Sequence, residues 1–144
     1  MIAGHSLLLD THIVIWMATA PERLPISLLK AIQTMEIRYV SHVTAWEIQI
    51  KHEKHGPRFD FSLDHLEQTM KAFSCTELPI NYRDIRGLNQ MRFFHTDPFD
   101  RLLMSQASLR SVYLATLDQN IIHTFEEEKA FDIFTDSAHE GPTR

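Results

Sequence analysis

The chain is poor in cysteine and glycine, and both shortages exclude common classes of protein. Its single cysteine, Cys75, cannot form a disulfide within the chain, which fits a reducing cytoplasm. Cys75 also lacks the Cys-His-Asn pattern of a thiol enzyme. With four glycines, the sequence contains neither the phosphate loop of nucleoside triphosphatases nor the dinucleotide-binding Gly-x-Gly-x-x-Gly. Nucleotide cofactors are therefore not expected.

Long apolar segments are missing as well. No apolar stretch approaches the roughly 20 residues that span a bilayer, so no contact with a membrane is expected. The N-terminus lacks a basic segment followed by a long apolar one, so no signal peptide is expected either. Together with the cysteine content, these absences predict a cytoplasmic protein.

The charge balance is acidic, with 14 basic and 19 acidic residues and a formal net charge of −5. A chain of this charge lacks the general basic character that favours non-specific binding to nucleic acid. The objection weakens if some of the acids hold metal ions, because a bound cation can be the largest local charge in a site. Composition therefore leaves nucleic-acid binding open.

The pattern of apolar residues predicts one α/β domain over residues 1–135, followed by a polar tail over 136–144. Short apolar or β-branched runs predict strands over 2–9, 37–40, 76–79, 111–116 and 131–135. Helical periodicity predicts helices over 11–17, 27–35, 43–55, 63–73, 84–91 and 119–124, with a further helix beginning after Asp97. This alternation predicts a mostly parallel sheet between two helical layers.

Four acidic residues, Asp10, Glu47, Asp100 and Asp118, stand where such a fold would bring them together. Asp10 and Asp118 follow predicted strands, and ligands of open α/β sheets bind at the carboxyl ends of strands. Glu47 and Asp100 lie in helices among apolar neighbours, where an unpaired carboxylate is costly. Closely packed carboxylates repel each other, so a divalent cation is expected to hold them. The pattern favours metal-assisted phosphodiester chemistry. Thr11 and Thr116 are candidates to orient the aspartates or a metal-bound water, although β-propensity or a place at a helix start explains them equally well.

Each acid also has a purely structural explanation when it is taken alone. Asp10 and Asp97 are candidate helix caps, and Asp97 precedes Pro98 at the first helical position. Glu47 could complete a capping box with Thr44, Asp100 could serve the helix dipole, and Asp118 could be a turn residue. The convergence of all these acids on one edge of the sheet favours a site over separate structural roles.

Four motifs occur in a characteristic order along the chain. They are Leu8-Leu9-Asp10-Thr11-His12, Trp46-Glu47-Ile48-Gln49-Ile50-Lys51, His95-Thr96-Asp97-Pro98-Phe99-Asp100-Arg101-Leu102-Leu103 and Leu114-Ala115-Thr116-Leu117-Asp118. In order and spacing, the chain resembles PIN-domain proteins over nearly its whole length, and more narrowly the VapC-type toxins of bacterial toxin–antitoxin pairs. The block around Asp97 and Asp100 carries most of this resemblance.

The resemblance implies a compact α/β/α sandwich and an endoribonuclease that depends on Mg²⁺ or Mn²⁺. It implies that Asp10, Glu47, Asp100 and Asp118 are the catalytic, metal-binding acids and that Asp97 supports them. It also implies a homodimer, an RNA substrate and an antitoxin partner that blocks the acidic pocket with a basic side chain. A metal-dependent DNA nuclease and an inactive PIN-like module that only binds partners remain alternatives, and the RNA target, the number of ions and the antitoxin stoichiometry stay open.

Several cations and aromatics are weaker candidates for binding RNA: Lys51, Lys54, Arg58, Arg83, Arg86, Arg92, Trp46, Phe93 and Phe94. Solvated helix faces and core or dimer packing explain each of them at least as well. His52 and His55 do not have the spacing of a zinc signature. His95 and His12 lie beside the acidic motifs, and His12 is the weaker candidate of the two.

Overall fold

Within the residues that a computed structural model of the chain describes, 6–91, 97–128 and 132–134, five strands form one parallel sheet. The strands are β1 (Ser6–Leu9), β2 (Ile37–Ser41), β3 (Thr76–Leu78), β4 (Tyr113–Ala115) and β5 (Asp132–Phe134). Their order across the sheet is β3-β2-β1-β4-β5, and every neighbouring pair is parallel. The predicted parallel sheet is confirmed.

Helices connect the strands and cover both faces of the sheet. They are α1 (Thr11–Thr19), α2 (Ile26–Thr34), α3 (His42–His55), α4 (Leu63–Ala72), α5 (Tyr82–Arg86), α6 (Pro98–Arg110) and α7 (Gln119–Glu128). Leu7 and Leu9 of β1 pack into one hydrophobic core with α1, α2 and α4, while Leu8 packs into a second core with α6 and α7. Successive strand residues point to opposite faces, so β1 serves both cores. The predicted α/β/α sandwich is confirmed.

The central strand explains why its sequence is apolar without alternation. Leu7, Leu8 and Leu9 are all fully buried, because β1 is covered by helices on both sides. Burial of each leucine contributes roughly 1.5–3 kcal/mol. No helix among the described residues is long and apolar enough to cross a membrane.

The order of the strands brings the ends of β1 and β4 together. Leu9 pairs with Ala115, and the Asp10 amide donates a hydrogen bond of 2.9 Å to the Ala115 carbonyl. From β1 the chain moves to β2 on one side, and β4 lies on the other side. Such a reversal opens a crevice at the carboxyl ends of the strands, where α/β proteins bind ligands. Asp10 and Thr116 stand at this crevice.

Several predicted boundaries are wrong. The helix predicted over 119–124 continues to Glu128. The helix predicted over 84–91 begins at Tyr82, because Asn81 caps it through hydrogen bonds exchanged with Asp84, and after Arg86 it tightens into a 3-10 turn, Gly87–Gln90. The strand predicted over 111–116 begins only at Tyr113, because Ser111 adopts a left-handed conformation with φ of 53° and ends α6. The predictions for residues 2–5, 131, 135 and the tail 136–144 lie outside the described residues.

A buried polar network fixes α6 against α5 and α3. The Asp84 carboxylate is fully buried and accepts two hydrogen bonds from Arg110, at 2.8 and 3.3 Å, and one of 3.1 Å from Gln106 Nε2. Gln106 Oε1 accepts a hydrogen bond from Ser41, whose side chain caps α3. Glu47 lies on α3 and Asp100 on α6, so the network sets the relative position of these two acids.

Hydrogen bonds keep Asp84 ionised despite its burial. Burial raises the pKa of Asp84, but hydrogen bonds from Arg110, the Asn81 amide and Gln106, together with the charge of Arg110, outweigh it and lower the pKa below its ordinary value. The 3-10 turn after α5 also packs closely against α6, since a Cβ on Gly87 would clash with the Ser105 hydroxyl of α6.

We expect Asp84→Ala to lower the free energy of unfolding by roughly 3 kcal/mol, because it leaves Gln106 and the Arg110 charge without their buried partner. Urea denaturation measures the change. Asp60→Ala is the control, because Asp60 is exposed and its loss should change stability by less than about 0.5 kcal/mol. Equal stability of the two variants would contradict the role assigned to the network.

Candidate functional site

Asp10 is held rigidly at the carboxyl end of β1. It is 2% exposed and forms the N-cap of α1, where its Oδ1 accepts a hydrogen bond of 2.8 Å from the Thr11 amide. Its Oδ2 accepts a hydrogen bond of 2.7 Å from the Thr116 hydroxyl. The helix-cap interpretation of Asp10 is therefore correct, but capping occupies one oxygen, and the other faces the end of β4.

Thr116 and His12 tie the segment after β4 to Asp10. The buried Thr116 hydroxyl donates to Asp10 and accepts a hydrogen bond of 3.0 Å from the Asp118 amide. His12 Nε2 accepts a hydrogen bond of 3.3 Å from the Leu117 amide, and its Nδ1 lies 3.4 Å from Asp10 Oδ2. Since Nε2 accepts, a neutral imidazole carries its proton on Nδ1, facing Asp10.

His12 is a weak candidate from sequence, but the structure places its ring beside Asp10. His12 lies two residues after Asp10, in the first turn of α1, and nothing in that local pattern shows what its ring touches. Its contact with Leu117 depends on the pairing of β1 with β4, which are far apart in the chain. Recognition that these strands are neighbours is the signal that could have identified His12.

Glu47 reaches the site from the middle of α3. Its side chain is 9% exposed, its Oε1 accepts a hydrogen bond of 2.7 Å from the Thr11 hydroxyl, and its Oε2 lies 2.9 Å from Lys51 Nζ. The Thr44 hydroxyl lies 3.1 Å from that of Thr11. Because Ser41 caps α3 and Thr44 lies inside the helix, the alternative of a capping box between Thr44 and Glu47 is wrong.

The remaining acids begin two other helices. Asp97 caps α6, and its Oδ1 accepts hydrogen bonds from the amides of Phe99 and Asp100, at 2.9 and 3.1 Å, so the predicted cap is confirmed. Asp100 follows in the first turn of α6 and is 9% exposed. Asp118 Oδ1 accepts a hydrogen bond of 2.8 Å from the Asn120 amide at the start of α7. Three helix N-termini thus carry acids of the candidate site.

Mutual repulsion shows that these acids share one electrostatic environment. Burial raises the pKa of Asp100 to about 8, and the charges of Asp10, Asp97, Asp118 and Glu47 add to the increase, in that order. Burial also raises the pKa of Asp10, assisted by Glu47 and opposed by His12, Thr116 and the Thr11 amide. The structure therefore brings the predicted acids close enough to perturb each other.

The donor set fits a hard divalent cation held by few protein ligands. Among the residues that the structure describes, no group of three or more histidine, cysteine, aspartate or glutamate side chains is arranged to hold a metal ion. The acids offer only carboxylate oxygens, and Mg²⁺ uses one or two carboxylates and keeps several waters. A cation there would also offset the repulsion that raises the pKa of Asp100. A closed cage of many protein ligands does not fit this site.

Other residues considered from sequence have ordinary surroundings. Trp46 is 52% exposed and makes an edge contact with Phe99, with ring centroids 5.0 Å apart, so it joins α3 to α6. His52 Nδ1 lies 3.3 Å from the Phe59 carbonyl. Burial raises the pKa of Cys75 to about 11, which keeps the thiol protonated. The predictions for Arg92, Phe93, Phe94 and His95 lie outside the described residues.

We expect Asp100→Asn to stabilise the metal-free protein, and to do so more at pH 8.5 than at pH 5. The pKa of this carboxyl is about 8 in the folded protein, against an ordinary value of 3.8. Its ionisation therefore costs no stability below pH 3.8 and progressively more as the pH rises from 3.8 to 8. Thermal melts in chelator measure this difference. Asp64→Asn, an exposed acid in the first turn of α4, is the control. A lower melting temperature for Asp100→Asn at pH 8.5 would contradict the repulsion.

Comparisons with known proteins place the fold. Among curated proteins none matches the chain. Several solved structures are similar to it. VapBC2 of Rickettsia felis bound to a promoter DNA fragment has a TM-score of 0.64 and 14% identity, with 90% of this chain and 97% of that chain covered. DNA-bound VapBC of Salmonella typhimurium has a TM-score of 0.59 and 16% identity, with coverages of 93% and 98%, and FitAcB of Neisseria gonorrhoeae has a TM-score of 0.60 and 21% identity, with coverages of 90% and 96%. At these identities the likeness concerns the fold. The family model of the PIN domain matches residues 7–126, and the chain belongs to this family.

Proposed function

We propose that this chain is a metal-dependent endoribonuclease that acts as the toxin of a toxin–antitoxin pair. The observation that carries the proposal is the set of acids around Asp100, of which Asp10, Glu47 and Asp100 itself are buried. Burial and the acidic neighbours raise the pKa of Asp100 to about 8. A protein has little reason to bury several repelling carboxylates at the carboxyl ends of its strands unless a cation joins them. Membership of the PIN family supports nuclease chemistry.

We assign Asp10, Glu47, Asp100 and Asp118 as the acids of a site for Mg²⁺ or Mn²⁺, where one or two of them would bind an ion directly and the others would act through its waters. When bound, the cation supplies charge that stabilises the phosphate and lowers the pKa of the attacking water. Asp10 contributes a carboxylate fixed by two hydrogen bonds, so little reorganisation accompanies binding.

Thr11, Asp97 and Thr116 act by positioning the assigned acids. The Thr11 hydroxyl donates to Glu47, the Asp97 cap sets the start of α6, and Thr116 joins Asp10 to the segment that carries Asp118. In this mechanism a water, and not the RNA 2′-hydroxyl, attacks the phosphorus.

Partner binding follows from the same acidic site and from the surface of α5 and α6. An antitoxin is proposed to insert a basic side chain among the acids, as the resemblance to VapC-type toxins implies. A homodimer is supported by the exposed apolar side chains of Tyr82, Ile85 and Leu109, which are 71%, 51% and 40% exposed.

The protein is proposed to work in the cytoplasm, since its lone Cys75 offers no internal disulfide.

We expect Asp10→Asn to lower the rate of RNA cleavage by about 100-fold or more, because the variant loses a charge at the proposed metal site. A labelled single-stranded RNA measures the rate, and Mn²⁺ calorimetry measures the metal affinity. Asp64→Asn removes the same charge from an exposed helix start and should retain both. Chelator should abolish cleavage, and added Mg²⁺ or Mn²⁺ should restore it.

Three outcomes would overturn the assignment. Unchanged cleavage and metal affinity in Asp10→Asn would exclude the proposed site. Preferential cleavage of a DNA strand of matched sequence would favour a DNA nuclease instead. Failure of the wild-type protein to bind any divalent ion would favour an inactive module that acts only through its partners.

We expect Thr116→Val to weaken Mn²⁺ binding and cleavage by roughly 10–100-fold, because Asp10 and the Asp118 amide both lose the hydroxyl that joins them. Thr116→Ser retains the hydroxyl and should recover most of both. Thr69→Val is the matched control, since the hydroxyl of Thr69 donates a hydrogen bond within α4, to the His65 carbonyl. Wild-type metal affinity in Thr116→Val would contradict the positioning role.

A further inference from the structure

Lys51 occupies one oxygen of a carboxylate that the proposed function assigns to a metal ion. Its ammonium lies 2.9 Å from Glu47 Oε2, and the pair stands one turn apart on α3. Glu47 Oε1 already accepts the Thr11 hydroxyl at 2.7 Å. Both carboxylate oxygens of Glu47 therefore have a partner. The Thr11 hydroxyl is neutral and can share its oxygen with a cation, but the charged ammonium of Lys51 repels a metal ion on the same oxygen, so a cation that binds Glu47 Oε2 is expected to displace it.

Lys51 is the partner that can leave at lower cost. The Lys51 side chain is 44% exposed, whereas Thr11 is 4% exposed and its hydroxyl is packed between Glu47 and Thr44. Exposed ion pairs at i and i+4 shift an equilibrium by only about twofold. A divalent ion carries twice the charge of an ammonium, and the charges of the other acids attract it as well. The ion pair with Lys51 is therefore a weak barrier to a metal ion at Glu47 Oε2.

The released ammonium stays beside the site, since the Lys51 backbone is fixed in the third turn of α3. Because Lys51 reaches Glu47 from one turn away, a phosphate bound to a metal ion at Glu47 would lie within reach of the same ammonium. Lysine is a mobile point charge that binds phosphate without demanding a fixed geometry. The same residue can therefore neutralise the empty site and bind substrate in the loaded one.

We propose that Lys51 is an exchangeable counter-ion, which neutralises Glu47 in the metal-free protein and transfers its ammonium to an RNA phosphate when a divalent cation takes that oxygen. The inference rests on the proposed function and adds to it a coupling between the metal and the RNA. By linkage, the metal raises the affinity for RNA, and RNA raises the affinity for the metal by the same factor.

Lys51→Met tests the first half of the exchange, because methionine retains the apolar stem and removes the competing charge. Calorimetry with Mn²⁺ alone should show binding about twofold tighter than in the wild type. Lys54→Met is the matched control, since Lys54 is an exposed lysine on the next turn of the same helix. At physiological salt its more distant charge is screened, so its Mn²⁺ affinity should stay closer to that of the wild type.

Binding of a short, labelled, mixed-sequence RNA tests the second half, with phosphorothioate linkages that keep the backbone charge and slow hydrolysis. Anisotropy is measured over a range of salt, in Mn²⁺ and in chelator, and a gel confirms that the probe stays intact. In Mn²⁺, Lys51→Met should bind more weakly and lower the salt slope by roughly one, as expected for one lost phosphate contact. In chelator the same substitution should change the slope less. Lys54→Met should have the same effect in both conditions.

The outcomes separate this inference from the function on which it rests. If Lys51→Met binds Mn²⁺ no tighter than Lys54→Met, or if its RNA defect is the same with and without metal, Lys51 is a fixed ion-pair partner and the exchange is wrong. If the wild-type protein binds no Mn²⁺, the proposed function fails and the exchange fails with it. Lys51→Gln repeats both measurements in case the methionine variant does not fold.

Discussion

The repulsion among the carboxylates that α3, α6 and the ends of β1 and β4 bring together is the constraint on which the rest of the structure depends. Burial raises the pKa of Asp10 and of Asp100, acidic neighbours add to both increases, and the pKa of Asp100 reaches about 8. The protein's own hydrogen-bond donors offset part of this cost. They are the backbone amides at the N-termini of α1 and α7, which donate to Asp10 and Asp118, the hydroxyls of Thr11 and Thr116, and the ammonium of Lys51. We propose that the repulsion which these donors leave uncompensated drives the binding of a divalent cation.

The scaffold is arranged to keep those acids from moving apart. A fully buried β1 anchors Asp10 in the middle of the sheet, and its pairing with β4 fixes the position of Thr116. On the helical side, Asp84 joins Arg110 and Gln106 of α6, and Gln106 reaches Ser41 at the start of α3. Because α3 and α6 carry Glu47 and Asp100, the network that stabilises the fold also holds the site against its own repulsion. Stability and function therefore depend on the same contacts.

Much of the fold was predictable from sequence because it follows from local rules. Apolar runs alternating with helical segments predicted the parallel sheet, and Asp97 before Pro98 predicted the start of α6. Contacts that need the tertiary fold were not predictable. The Asp84 network joins residues distant in the chain, and the role of His12 depends on which strand lies beside β1. Local competition explains the errors at Thr44 and Ser111, since Ser41 caps α3 first and a left-handed serine ends α6 before β4 begins. The assignment of the four acids to a metal remains a prediction.

The most direct measurement is a crystal structure of the protein in Mn²⁺, with anomalous diffraction to locate the ion. We expect one strong anomalous peak within coordination distance of an Asp10 oxygen and of at least one other assigned acid, Glu47, Asp100 or Asp118. We also expect the Lys51 ammonium to have moved away from Glu47 if that residue is a ligand. A peak only at unrelated surface carboxylates, or no peak at saturating Mn²⁺, would contradict the claim that these acids are buried together in order to bind a cation.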